Sequence, residues 1–134
     1  MYFADENLLG MGKLLRIEGR TDVLYPGHED LPEIPRGAKD TDWLPVVGER
    51  GFIVLSRDRH IRSRPAELRL YYAHRVRSVW IGAKRDLGPQ NQVELFLKYE
   101  HQLAAKFEEL GEGPWALKLG IKGISRSHLS PQPR

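Results

Sequence analysis

Apolar residues along this chain fall into two patterns. Short apolar runs stand at residues 2–5, 22–25, 51–55, 77–81 and 115–119, each bounded by turn formers or charged residues. Longer segments between them place apolar residues at helical spacing. The first pattern predicts buried strands and the second amphipathic helices. Gly51-Phe52-Ile53-Val54-Leu55 is the clearest strand, a continuous apolar run suited to a sheet covered on both faces. The clearest helix spans 90–110, with Val93, Leu95, Phe96, Leu97, Tyr99, Leu103, Ala104 and Phe107 at its apolar positions. Gly111 and the pair Gly113-Pro114 end it. A first helix runs from the end of the first strand to about Glu18, with Gly19 as its stop. Another spans about Pro65 to His74.

Residues 26–39 break both patterns. Pro26, Gly27, Pro32, Pro35 and Gly37 prevent regular structure, and His28, Glu29, Asp30 and Glu33 make the loop polar and mostly acidic. A short helix then begins at Asp40-Thr41-Asp42. Because Pro45 suits only a first turn, Asp42 is expected as the N-cap, which leaves Asp40 free for another role. Alternating strands and helices predict an α/β fold, a three-layer α/β/α sandwich on a mostly parallel sheet of four to five strands. One domain is expected over residues 1–124. Residues 125–134 hold little to bury and are expected as a disordered tail.

Composition narrows the chemistry. With no cysteine there is no disulfide framework and no thiolate metal site, so any metal is held by oxygen or imidazole. No apolar run is long enough to cross a bilayer and no signal peptide is visible, so a cytoplasmic location is expected. The net charge of +3 is unevenly spread. Residues 1–50 carry 10 acids and 6 bases, and residues 51–134 carry 8 acids and 15 bases. An acidic front and a basic middle suit a cation site beside a phosphate-binding surface. A solvated surface with scattered arginines is the plainer alternative.

Three predicted strands end in an acid, Asp5, Asp58 and Asp86, and Asp40 or Asp42 opens a helix. In a parallel sheet these ends share one edge, which is where ligands bind in open α/β sheets. Clustered carboxylates are tolerable when a divalent cation neutralises them, and oxygen donors alone select Mg2+ or Mn2+. Such an ion suits phosphodiester hydrolysis. Arg57, Arg59, Arg62, Lys84 and Arg85 lie in the same region and suit a nucleic-acid backbone. Each acid also has a plainer role: Asp5 and Asp42 as helix caps, Asp58 as an ion-pair partner, Asp86 as a turn former. Asn7 suits an N-cap or a hydrogen bond to a ligand carboxylate. By strand alternation Glu6 points away from the edge. His60, His74, His101 and His128 share no metal-ligand spacing, and His28 is expected to be an exposed loop residue. Trp43, Trp80 and Trp115 are expected in the core.

Asp5-Glu6-Asn7 at a first strand, a helix-starting Asp40, and Leu55-Ser56-Arg57-Asp58 after a buried strand resemble the PIN-like domains. The likeness is nearest to the small stand-alone bacterial group with a DEN…D…(T/S)RD pattern, related to VapC-type toxin ribonucleases. It covers about residues 2–120. The resemblance implies Mg2+- or Mn2+-dependent cleavage of RNA, with Asp5, Asp40 and Asp58 as metal ligands and Asp86 as a looser fourth acid. Asp42 replaces Asp40 if that position is misaligned. It also implies a cognate antitoxin protein as partner and a homodimeric assembly. Loop 26–39 is longer than the family pattern, and Asp86 stands in a Lys-Arg-Asp context that also suits a salt bridge. These departures keep open a PIN-like binding module without catalysis. A receiver-like domain with Asp58 as phosphoryl acceptor is a further alternative.

Overall fold

A computed structural model describes residues 1–57, 64–82 and 87–129. The order is β1 (Tyr2–Ala4), a 3-10 turn (Glu6–Leu8), α1 (Leu9–Ile17), β2 (Val23–Leu24), α2 (Asp40–Glu49), β3 (Ile53–Ser56), α3 (Pro65–His74), β4 (Arg77–Ile81), α4 (Pro89–Leu110), β5 (Trp115–Gly120) and β6 (Gly123–Ser127). The strands form one sheet in the order β2-β1-β3-β4-β5-β6. The first five are parallel and β6 pairs antiparallel with β5. The fold is the expected α/β/α sandwich. Side-chain alternation divides the sheet between two cores. Tyr2, Ala4, Ile53, Leu55, Val79, Ile81, Leu117 and Leu119 join residues of α1 and α4 on one face. Phe3 and Val54 join Trp43, Leu44, Val47 and Tyr71 of α2 and α3 on the other. Trp43, Trp80 and Trp115 are buried.

Two sequence expectations change. The sheet has six strands, because β6 extends through Ser127, into the stretch assigned to a tail. Its Ser-Arg-Ser sequence carries no hydrophobic signal; Ile124 packs against the core, and pairing with β5 completes the strand. Second, α2 starts at Asp40 and Asp42 is not its cap. Lys39 stands in extended conformation at the N-cap position, and its carbonyl accepts the N–H groups of Asp42 and Trp43. Burial of Trp43 and Leu44 holds this early turn, and Pro45 falls inside the helix. Among the described residues no helix is long and apolar enough to cross a membrane.

Loop 26–39 is less polar in place than in sequence. Leu31 and Ile34 are fully buried in the α2–α3 core. The Gly27 N–H donates to the Ile34 carbonyl at 2.8 Å and closes the loop, with Gly27 at a positive φ of 88°. His28 is not the exposed residue expected: its side chain is 10% accessible, Nδ1 accepts the Asp30 N–H, and the ring packs edge-on against Tyr25.

Candidate active site

Asp5 follows β1 directly and Ser56 ends β3, so parallel pairing sets them side by side at the carboxyl edge of the sheet. The Asp5 N–H donates to the Leu55 carbonyl at 2.9 Å and extends the ladder by one residue. Asp5 is 6% exposed and Ser56 is fully buried. The Ser56 hydroxyl donates to Asp5 Oδ2 at 2.9 Å, while Asp5 Oδ1 accepts the Glu6 N–H. Asp5 therefore caps the first turn with one oxygen and turns the other toward β3. The capping role read from the sequence is the one seen here.

Asn7 is neither an N-cap nor a direct partner of Asp5. Its Oδ1 accepts the Arg57 N–H at 3.1 Å, and its Nδ2 donates to Ser56 Oγ at 3.4 Å. The side chain thus clamps the chain one residue before Asp58. Arg57 itself is exposed at the edge.

Asp40 arrives through aromatic packing. The Phe3 ring lies 5.0 Å from that of Trp43, and the Trp43 indole N–H donates to Asp40 Oδ1 at 3.1 Å. Tyr71 of α3, in the same core as Phe3 and Trp43, is fully buried and hydrogen-bonded to Ser78 Oγ. Burial pushes the Tyr71 phenol pKa up, and the charges of Asp5 and Asp40 push the same way, so the hydroxyl stays protonated. Phe3, two residues before Asp5, thus packs on the ring that holds Asp40, 35 positions further along the chain than Asp5. Asp42 is exposed in the first turn of α2. Asp58, Asp86, Arg59, Arg62, Lys84 and Arg85 lie outside the described residues.

Three residues acquire roles that sequence reading missed. Glu6 does not point idly away. Its Oε1 accepts the Arg36 Nε–H at 2.9 Å and the Gly37 N–H at 2.7 Å, which pins the loop three residues before Asp40. The Gly37 N–H and then the Arg36 guanidinium hold its carboxyl below the usual glutamate range. Glu67, in the first turn of α3, has a side chain only 14% accessible. It lies one turn before Tyr71 on the same helix face. Arg64 Nη1 stands 3.7 Å from Asp40 Oδ2 and 3.7 Å from Glu67 Oε1. A carboxylate flanking the buried Leu68–Tyr71 stripe was the available signal for Glu67.

A family model described as a PIN like domain matches residues 1–83. The chain belongs to the PIN-like domain family. Membership points in general terms to a nuclease-type function. No curated protein and no solved structure matches the chain. The matched span includes β1 through β4 and both helices that carry Asp40 and Glu67. It excludes α4 and the β5–β6 hairpin.

The donors fit a hard divalent cation in kind: they are carboxylates, and the chain has no cysteine. The Arg64 guanidinium beside Asp40 and Glu67 is a cation already standing in their field. Among the described residues no three Asp, Glu or His side chains come together as a metal-binding group.

Proposed function

We propose that this PIN-like chain is a metal-dependent endoribonuclease acting in the cytoplasm. Asp5 and Asp40, with Asp58, would hold Mg2+ or Mn2+, and Asp86 would position or activate water. The observation that carries the reading is the link between β1 and α2: Phe3, two residues before Asp5, packs on Trp43, whose indole N–H holds Asp40 Oδ1. An ion bound there would neutralise charge on the scissile phosphate and lower the pKa of an attacking water. The chain's own residues orient the donors. Ser56 holds Asp5 Oδ2, Trp43 holds Asp40 Oδ1, and Asn7 fixes the backbone leading into Asp58. Arg57, Arg59, Arg62, Lys84 and Arg85 would contact phosphates on either side of the cut. The further reading, the toxin of a bacterial toxin–antitoxin pair with an antitoxin partner and a homodimeric form, rests on the sequence pattern Asp5-Glu6-Asn7…Ser56-Arg57-Asp58.

The test is cleavage of single-stranded RNA by wild type, Asp5→Asn and Asp58→Asn, with Mg2+ or Mn2+ and with a chelator. Cleavage by wild type alone, abolished by the chelator, is expected. Equal activity in all three proteins sinks the assignment. One observation favours a second reading, a binding module without catalysis: Arg64 already supplies positive charge beside Asp40. That reading expects RNA binding unaffected by metal and no cleavage by any of the three.

A further inference from the structure

The β5–β6 hairpin lies beyond the family match, and its charge differs from that of the mixed helix before it. From Gly113 to Arg134 there is no Asp or Glu, while Lys118, Lys122, Arg126 and Arg134 are basic. Helix α4, just before it, mixes Glu94, Glu100, Glu108 and Glu109 with Lys98 and Lys106. The hairpin is therefore a second basic stretch, separated in sequence from the arginine-rich residues 57–85 by the mixed helix α4.

Register places this hairpin relative to the acids. Ser56 pairs with Trp80, Trp80 with Lys118, and Lys118 with Ser125. Asp5 is hydrogen-bonded to Ser56 at the other end of the same row. One cross-sheet row thus runs from Asp5 to Lys118 on the face covered by α2 and α3. Strands stand about 4.8 Å apart, so the Lys118 backbone is about 10 Å from that of Ser56. Lys118 is half-buried, and its ammonium forms no ion pair with any described residue. The β5–β6 turn, which carries Lys122, follows the carboxyl end of β5 and so sits at the same edge as Asp5.

We infer that Lys118 and Lys122 form a phosphate-binding extension of the candidate site, which holds the backbone of a single-stranded nucleic acid beyond the cleaved bond. The choice of nucleic acid as ligand rests on the nuclease reading, but the binding itself requires neither metal nor catalysis. A lysine with no acid partner among the described residues, beside hydroxyl-bearing Ser125 in the same row, offers donors to phosphate oxygens. Each such contact on a single strand steepens the salt dependence of binding by about 0.7 in log K against log salt.

The experiment is fluorescence anisotropy of a labelled single-stranded RNA oligomer in EDTA, across a salt series. Wild type is compared with Lys118→Gln, Lys122→Gln, the double variant and Lys13→Gln on the outer side of α1. Each hairpin variant is expected to lower the slope by about 0.7 and weaken binding about fivefold at 0.1 M salt. The double variant should lose both amounts, and Lys13→Gln should match wild type. A wild-type slope in the double variant overturns the inference. So does an equal loss in Lys13→Gln, which would mark a diffuse charge effect. Lysine-dependent binding without metal-dependent cleavage would remove the nuclease mechanism and leave this surface standing.

Discussion

Ser56→Ala probes how the protein keeps a carboxylate at the end of a buried strand. The substitution removes one oxygen from a fully buried position and opens little space. Its main effect is chemical: Asp5 Oδ2 loses a donor 2.9 Å away, and Asn7 Nδ2 loses a weaker acceptor at 3.4 Å. A hydrogen bond to a charged group contributes about 1.5–3 kcal/mol, so a destabilisation of about 2 kcal/mol is expected. In urea, with a slope of about 2 kcal/mol per molar, the midpoint should fall by about 1 M with the slope unchanged. Asp5→Asn supplies the control. With a neutral amide at position 5, the same serine is worth only about 1 kcal/mol, so a double-mutant cycle should give a coupling of about 1 kcal/mol. Equal costs of Ser56→Ala in both backgrounds would refute a charge-assisted bond. A cost below about 0.5 kcal/mol in the wild-type background would refute the burial argument as well.

Two further outcomes are expected. Arg64→Gln removes the cation beside Asp40 and Glu67; since Arg64 is about half exposed, a gain of only severalfold in Mn2+ affinity is expected by calorimetry. Unchanged or weaker Mn2+ binding would show that Arg64 and the ion do not compete. Glu6→Gln should loosen loop 26–39 and speed amide exchange at Gly37. Because Glu6 is held below its usual pKa, its contribution is full above the ordinary glutamate range and disappears as pH falls through the lowered folded value. The stability gap between wild type and Glu6→Gln should therefore close in acid; a gap that widens there would contradict the assignment.

The apolar runs of this sequence suffice for its layers. Val54 and its neighbours can only be a strand covered on both faces, and the 22-residue α4 can only be a long amphipathic helix. The same periodicity places Asp5 at a strand end, because the acid follows the last buried residue. Asp40 was legible for a similar reason, as an acid at a helix start. Local patterns report which face a residue takes within its own element, and they stop there. Strand alternation turned Glu6 away from the sheet edge, but only the folded loop brings Arg36 and Gly37 to meet it, 30 and 31 residues later. Glu67 reads as an ordinary first-turn acid until the packing of α3 on α2 brings Arg64 between it and Asp40. β6 has no sequence signature because its hydrogen bonds come from a neighbour that the pattern of Gly123–Ser127 does not contain. Sequence determined the four helices, the five parallel strands and the places of Asp5 and Asp40 at element ends, since these follow from local burial. Tertiary structure alone decided the partners that hold those carboxylates, since hydrogen bonds and ion pairs depend on distances that join remote parts of the chain.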